Sequence, residues 1–203
     1  MSSLFSDTYN EIKQEADSAL REKGSKFLAY SFLVKSELEV KQHLHAVKSK
    51  FPDATHHCYA YIIGEGHEAQ RANDDGEPSN SAGRPILRAI ISAELTNVLV
   101  IVVRYFGGTM LGIPGLIQAY GDAAKSVLLL SEKVQKIQED LFAINANFEH
   151  EQLIHQLLKP FDHRVVNREY IDGVFYKVAV RRNQAMQFLS MAEEVYLLQV
   201  KSF

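Results

Sequence analysis

Apolar residues recur along the chain with two periods, and the change of period marks the elements. "KFLAYSFLV" (Lys26–Val34) is aromatic and β-branched, which predicts a strand. After it Leu38, Leu44, Val47 and Phe51 return at near-helical spacing. "ELEVKQHLHAVKSKF" therefore predicts an amphipathic helix that Pro52 stops. "HHCYAYII" (His56–Ile63) predicts a strand with His56, Cys58, Ala60 and Ile62 on one side and His57, Tyr59, Tyr61 and Ile63 on the other. "GEGHEAQRANDDGEPSNSAG" reads as a loop with room for one short strand. "RPILRAIISAEL" reads as a helix with Pro85 in its first turn and Ser81 placed to cap it. "NVLVIVVRYF" is a β-branched run that suits a strand buried on both faces. A Gly-rich turn, "GGTMLGIPG", leads into "LIQAYGDAAKSVLLLS", whose Leu116, Ala119, Tyr120, Ala123, Val127 and Leu130 form a wide helical stripe.

The pattern weakens over Ser131–Asp140, "SEKVQKIQED", which reads as a linker. Beyond it "LFAINANF" predicts a strand and "HEQLIHQLLKPF" a helix. "RVVNREYI" and "VFYKVAV" form a hairpin through Asp172-Gly173. "QAMQFLSMAEEV" predicts a helix and "YLLQVKSF" a strand. The order βαββαβ is the ferredoxin-like pattern. The expected class is α+β, with an N-terminal domain over 1–135 and a C-terminal domain over 137–203.

Composition narrows the function classes. Apolar residues make up 46% and charged residues 23%, ordinary for a globular chain with a real core. The formal net charge of −3 gives no global reason for nucleic-acid binding, although a local basic patch is compatible with it. Cys58 is the only cysteine, which excludes an intramolecular disulfide and a multi-cysteine zinc site and suits a reducing compartment. The polar, acidic N-terminus lacks the basic and apolar regions of a signal peptide. Val98–Val103 falls far short of the ~20 apolar residues that span a bilayer. The expected location is the cytoplasm.

Several motifs fail on spacing. His150 and His155 in "HEQLIH" are five apart, so their rings diverge by ~140° on a helix, where a zinc pair needs a spacing of four. With Gly76 at the sixth position of a calcium loop, Arg71 and Ala82 fall where acids are required. After Gly107-x4-Gly112 the Gly-rich turn has Ile113 and Pro114 where a Walker loop has Lys and Ser/Thr. There is no GxSxG elbow. Neither a metal nor a cofactor is expected.

Three stretches remain. His56, His57 and Tyr59 lie on a strand; they suit either core packing or a groove that stacks on bases. Asp74, Asp75 and Glu77 crowd a loop stiffened by proline, followed by Ser79 and Arg84; a solvated turn and a site both fit. Arg104 and Tyr105 end the apolar strand, and Gly107, Gly108 and Gly112 follow. The glycines serve tight packing or an anion at a helix start.

Together "KGSKF", "PDATHHCYAY", "NDDGEPSNSAGRPIL" and "NVLVIVVRYFGGTMLGIPGLIQAYGDAA" resemble the IMPACT family in its bacterial, two-domain YigZ-type arrangement. The resemblance covers most of the chain and is densest from Phe51 to Ala124. It implies an N-terminal ribosomal-protein-like α/β domain, similar to domain IV of elongation factor G. It also implies a ferredoxin-like C-terminal domain similar to domain V of that factor. Family members commonly read "SGTAG" at 79–83 and "GGIKLGTGGL" at 107–116. Met110, Ile113 and Pro114 replace a lysine, a threonine and a glycine of the second motif, which removes a cation and a hydroxyl from the turn. Eukaryotic relatives resemble only the N-terminal domain and act in translational control by competing for the activator of a stress kinase; that pathway is not carried over. The expected function is a non-enzymatic binding protein of translation that contacts RNA, the ribosome or a translation factor, with Arg84 and Arg104 expected to touch phosphates. The alternatives are an acid–base enzyme using His56 or His57 with the Asp74–Glu77 loop, and a protein-interaction adaptor.

Overall fold

The computed structural model describes residues 7–203. Residues 1–6, part of the polar N-terminus read above, lie outside the described residues. Two compact units divide the chain. One is Tyr9–Lys136, and the other is Ile137–Phe203 together with Asp7 and Thr8.

Apart from the end residues Thr8 and Ile137, the first unit contains β1 (Thr8–Ile12), β2 (Ala16–Glu22), β3 (Ser25–Leu33), α1 (Glu37–Lys50), β4 (His56–Ile63), β5 (Ala69–Asn73), α2 (Gly83–Ser92), β6 (Val98–Tyr105), α3 (Gly112–Leu130) and β7 (Lys133–Ile137). Five strands form an antiparallel sheet in the order β2-β3-β6-β4-β5. β6 lies at its centre, which is why its β-branched run is buried on both faces up to Val103. Alternation sends Val98, Val100 and Val102 to one face, where Phe27, Ala29, Cys58, Ala60 and Ile62 join them beneath α2 and α3. Leu99, Ile101 and Val103 face the other way, with Tyr61, Ile63 and the buried Val40 and Val47 of α1. Burying a Val, Leu or Ile side chain stabilises by about 1.5–3 kcal/mol, so the two cores account for this sheet's pairing register.

Two readings need correction here. The stretch read as a linker is largely strand: β7 pairs with β1, and Glu139 already belongs to the next strand. Ser81 does not cap α2. Its hydroxyl donates to the carbonyl of Pro78 at 2.6 Å, and the cap comes from elsewhere in the loop.

The second unit runs β8 (Glu139–Ala146), α4 (Glu151–Leu158), β9 (His163–Tyr170), β10 (Val174–Arg181), α5 (Ala185–Glu193) and β11 (Gln199–Ser202), the order βαββαβ. Its sheet has the order β11-β8-β10-β9 and is antiparallel throughout. Phe142, Ile144, Val178 and Val180 pack on Ile154, Leu157 and Phe188 of the two helices. Gly173 closes the β9–β10 hairpin at φ +152°, where an added Cβ would stand 2.6 Å from the carbonyl oxygen of Ala146.

Candidate functional site

The loop that joins β5 to α2 has its three carboxylates turned inward. The Asp74 carboxylate accepts from the backbone N–H of Ala82 at 3.0 Å and Gly83 at 2.8 Å through Oδ1, and of Asn80 at 2.8 Å through Oδ2. α2 has no acid in its first turn and no side-chain cap from its own N-cap residue, Ala82. Asp74 thus satisfies the free amides and opposes the positive end of the helix from outside it. Gly83 has to be glycine at this contact, because a Cβ there would lie 2.5 Å from the backbone nitrogen of Asn73.

Asp75 ties the loop to β4. Its Oδ2 accepts from His57 N–H at 2.7 Å, its Oδ1 from Lys48 Nζ at 3.2 Å, and its carbonyl lies 2.8 Å from His56 Nδ1. Burial acts to raise the pKa of Asp75, but the His57 amide and the Lys48 ammonium outweigh it and hold the carboxyl below its ordinary value. Asp75 itself sits at φ +42° and Gly76 at φ +90°, the left-handed conformations this turn requires.

Glu77 reaches furthest inward, with its side chain 3% exposed. Its Oε1 accepts from Arg104 NH1 at 2.6 Å and from the Tyr120 hydroxyl at 2.8 Å, and His56 Nε2 stands 3.8 Å away. Arg104 also donates to Ser25 Oγ at 3.3 Å, the same oxygen that accepts from Gly107 N–H at 3.3 Å. The guanidinium lies 5.6 Å from the ring centres of both Phe27 and Phe106. Its Nε is buried and, among the described residues, has no hydrogen-bond partner. The Cys58 thiol stands 3.0 Å from the carbonyl of Asp74 and 3.3 Å from the Tyr120 hydroxyl, able to donate to either. Burial pushes both the Cys58 thiol and the Tyr120 phenol far above their ordinary values, so both stay protonated at neutral pH.

The residues singled out by the sequence separate into three groups. His56, Asp74, Asp75, Glu77 and Arg104 meet in one network at the end of β4 and β6. The ring of His57 lies on the opposite face, where it pairs with the carbonyl of Phe51 at 3.0 Å; burial lowers its pKa. Tyr59 and Tyr105 are also on that face, and the Tyr105 hydroxyl donates to Asp53 at 2.9 Å. Ser79 and Arg84 are exposed outside the network. Gly107 is pressed against β3, where a Cβ would fall 1.9 Å from the carbonyl carbon of Gly24; Gly108 and Gly112 are exposed, at φ +84° and +70°.

Arg104 is therefore corrected from a phosphate contact to a buried partner of Glu77, 6% exposed. Tyr120, Cys58, Ser25 and Lys48 were not singled out as site residues. A signal existed for two of them: Tyr120 is the one hydroxyl in the buried stripe of α3, and Cys58 shares the strand face of His56. Among the described residues no group of three or more His, Cys, Asp or Glu is arranged to hold a metal.

What this network can do is hold a shape. Each carboxylate of the loop is bonded to a backbone amide or a buried cation, and neither buried nucleophile candidate is ionised at neutral pH.

Comparison with known proteins places this geometry. The family model for the Impact N-terminal domain matches residues 23–128. The IMPACT family member YvyE of Bacillus subtilis is 38% identical over 121 residues, which take in 60% of this chain and 56% of YvyE. The IMPACT family member YigZ of Escherichia coli is 30% identical over 150 residues, 73% of this chain and 74% of YigZ. A crystal structure of a protein described as hypothetical superposes with a TM-score of 0.71 over 98% of both chains at 24% identity, which establishes a shared fold. The match over 23–128 contains every residue of the network, and with these relatives it shows that the chain belongs to the IMPACT family.

Proposed function

We propose that the chain is a non-enzymatic binding protein of translation or its regulation, acting in the cytoplasm by contact with RNA, the ribosome or a translation factor. The observation that carries this reading is the commitment of Asp74, Asp75 and Glu77 to folding the loop. A general base has to reach a substrate proton, and these carboxylates reach amides and an arginine instead. The family resemblance supplies translation as the setting. The finer domain analogies belong to the same proposal: a ribosomal-protein-like first unit, and a ferredoxin-like second unit supported by its βαββαβ order and β11-β8-β10-β9 sheet. No helix among the described residues is long and apolar enough to cross a membrane.

The adaptor reading has one observation in its favour. Phe106, Met110 and Ile113 expose 50%, 86% and 54% of their surface around a single Gly-rich turn. The test is sedimentation of a host extract at low salt. Recovery of the chain with ribosomes, RNA or a translation factor, lost on adding salt, is the expected result. Recovery with none of them, together with turnover of a small molecule that depends on His56, would replace this reading with the enzyme.

A further inference from the structure

The opposite face of the first unit's sheet holds a feature that the network does not use. α1 covers this face over β4 and β6 but does not extend across β2, whose Asp17, Ala19 and Arg21 are exposed while Ala16, Ser18 and Leu20, facing the other way, are partly covered. Between α1 and β2 runs β3, with Lys26, Leu28, Tyr30 and Phe32 half-buried along it. Tyr30 and Phe32 are near parallel, 16° apart with ring centres at 6.4 Å. His43 of α1 stacks on Phe32 at 4.3 Å, and Phe51 leans on Tyr30 at 5.7 Å. Lys50 lies 5.2 Å from the Tyr30 ring centre and 5.3 Å from that of Phe51.

The charges around the rings are mostly positive. From Lys41 to Lys50, α1 carries three lysines and two histidines and no carboxylate; Lys48 is paired with Asp75, which leaves Lys41 and Lys50. Arg21 and Lys26 are register partners on β2 and β3 at the other border of the rings. Of the carboxylates near the rings, Asp53 accepts from the Tyr105 hydroxyl, and Asp17 is the register partner of Tyr30. A ladder of flat rings edged by flexible cations is the chemistry that holds unpaired nucleotides: each base stacks on a ring, and the phosphates between them meet ammonium or guanidinium groups. A folded protein can offer flat aromatic faces to such rings, but it lacks the regular run of anions at nucleotide spacing that the bordering cations would meet. We propose that the β3 face, through Tyr30, Phe32, His43, Lys26, Arg21 and Lys50, is a stacking platform for single-stranded RNA.

The choice of RNA rests on the translation reading above; the surface itself is separate from the loop network. The test is fluorescence anisotropy of a labelled oligouridine with the full chain, across a salt series, beside an RNA duplex of equal length. Binding to the single strand is expected to exceed binding to the duplex. Phe32→Leu is expected to weaken it about tenfold, the effect of one lost stacking partner. Lys50→Gln is expected to lower the log–log salt slope by about 0.7, the effect of one lost phosphate contact on a single strand. Thermal unfolding shows whether Phe32→Leu keeps its fold. If it does not, Lys50→Gln and Arg21→Gln decide alone, since both side chains are exposed. Wild-type affinity and slope in these variants, or a duplex bound as well as the single strand, overturns the platform. If the chain sediments with ribosomes yet binds no oligouridine at low salt, the platform falls and the translation reading stands.

Discussion

Replacing Glu77 with alanine removes the one carboxylate that neutralises Arg104, and the structure sets the scale of the loss. The two side chains are 3% and 7% exposed, so water cannot take the place of the missing partner. The guanidinium already has an unpartnered Nε, and the substitution also strips its NH1 and the Tyr120 hydroxyl of their shared acceptor. Breaking a buried ion pair from one side costs about 3–5 kcal/mol. Against a usual domain stability of about 5–15 kcal/mol, this is a large fraction of the total. With a urea dependence of about 2 kcal/mol per molar, the midpoint of the first unit's transition should drop by about 2 M. Glu77→Gln keeps an acceptor without the charge and should fall between. The decisive comparison adds Arg104→Met to Glu77→Met. An apolar pair between the rings of Phe27 and Phe106 leaves no stranded charge, so the double variant should be more stable than Glu77→Ala. The assay is urea unfolding of the full chain followed by circular dichroism. A loss below about 1 kcal/mol, the level of an exposed pair, or a double variant no better than the single one, would refute the reasoning.

Asp74→Ala should cost about 1–2 kcal/mol, the upper range for a lost helix cap, and should open the loop between 75 and 82 to limited proteolysis. Gly107→Ala should destabilise more than Gly108→Ala in thermal unfolding. A Cβ at 107 overlaps Gly24 and Ser25, whereas Gly108 has open space and only its positive φ to strain. In the second unit Glu151 accepts from the hydroxyls of Tyr170 and Tyr176 and from Arg168, and these bonds lower its pKa from 4.5 to about 2. A depressed carboxylate stabilises fully above its unfolded value and loses that contribution as pH falls through its folded one. The gap in melting temperature between the wild type and Glu151→Gln should therefore be full at pH 7, narrow below about 4.5 and close near 2. The segment 137–203, expressed alone, should unfold cooperatively in denaturant, since Phe142, Ile144, Val178, Val180 and Phe188 form a core of their own.

The parts of the fold legible in the sequence were those whose period is enforced by burial on a defined face. β6 is read from its unbroken apolar run because both faces are covered, and α3 from its stripe because one face is. β1, β2 and β7 escaped for the converse reason. β2 is an edge strand covered on one face, and β7 exposes most of its residues, so their sequences stay polar and no alternation stands out. The path of the Asp74–Glu77 loop was not legible either. Local spacing favoured Ser81 as the cap, while the acceptor in the structure comes from nine residues before Gly83, a distance only the folded loop closes. Arg104 was legible and misread. It continues the alternation Val100, Val102 and so had to face inward, but its place at the strand end suggested exposure.

That misreading bears on where a nucleic acid can sit. Three carboxylates in one short loop suggest an acidic surface that would repel phosphate, and an arginine at a strand end suggests one that would attract it. The second inference fails, because Glu77 neutralises Arg104 inside the unit; the first weakens but stands, because the amides that bond Asp74 and Asp75 hold these carboxylates without cancelling their charge. The loop end therefore keeps a small negative charge, eased by Lys48 on Asp75, with the apolar Phe106, Met110 and Ile113 nearby. Among the cations without a carboxylate partner in the described ion pairs, Arg21, Lys26 and Lys50 border the stacked rings. Long-range attraction and short-range stacking therefore coincide on the β3 face and not at the loop, and a salt-dependent RNA contact should track Lys50 and Phe32 rather than Arg104.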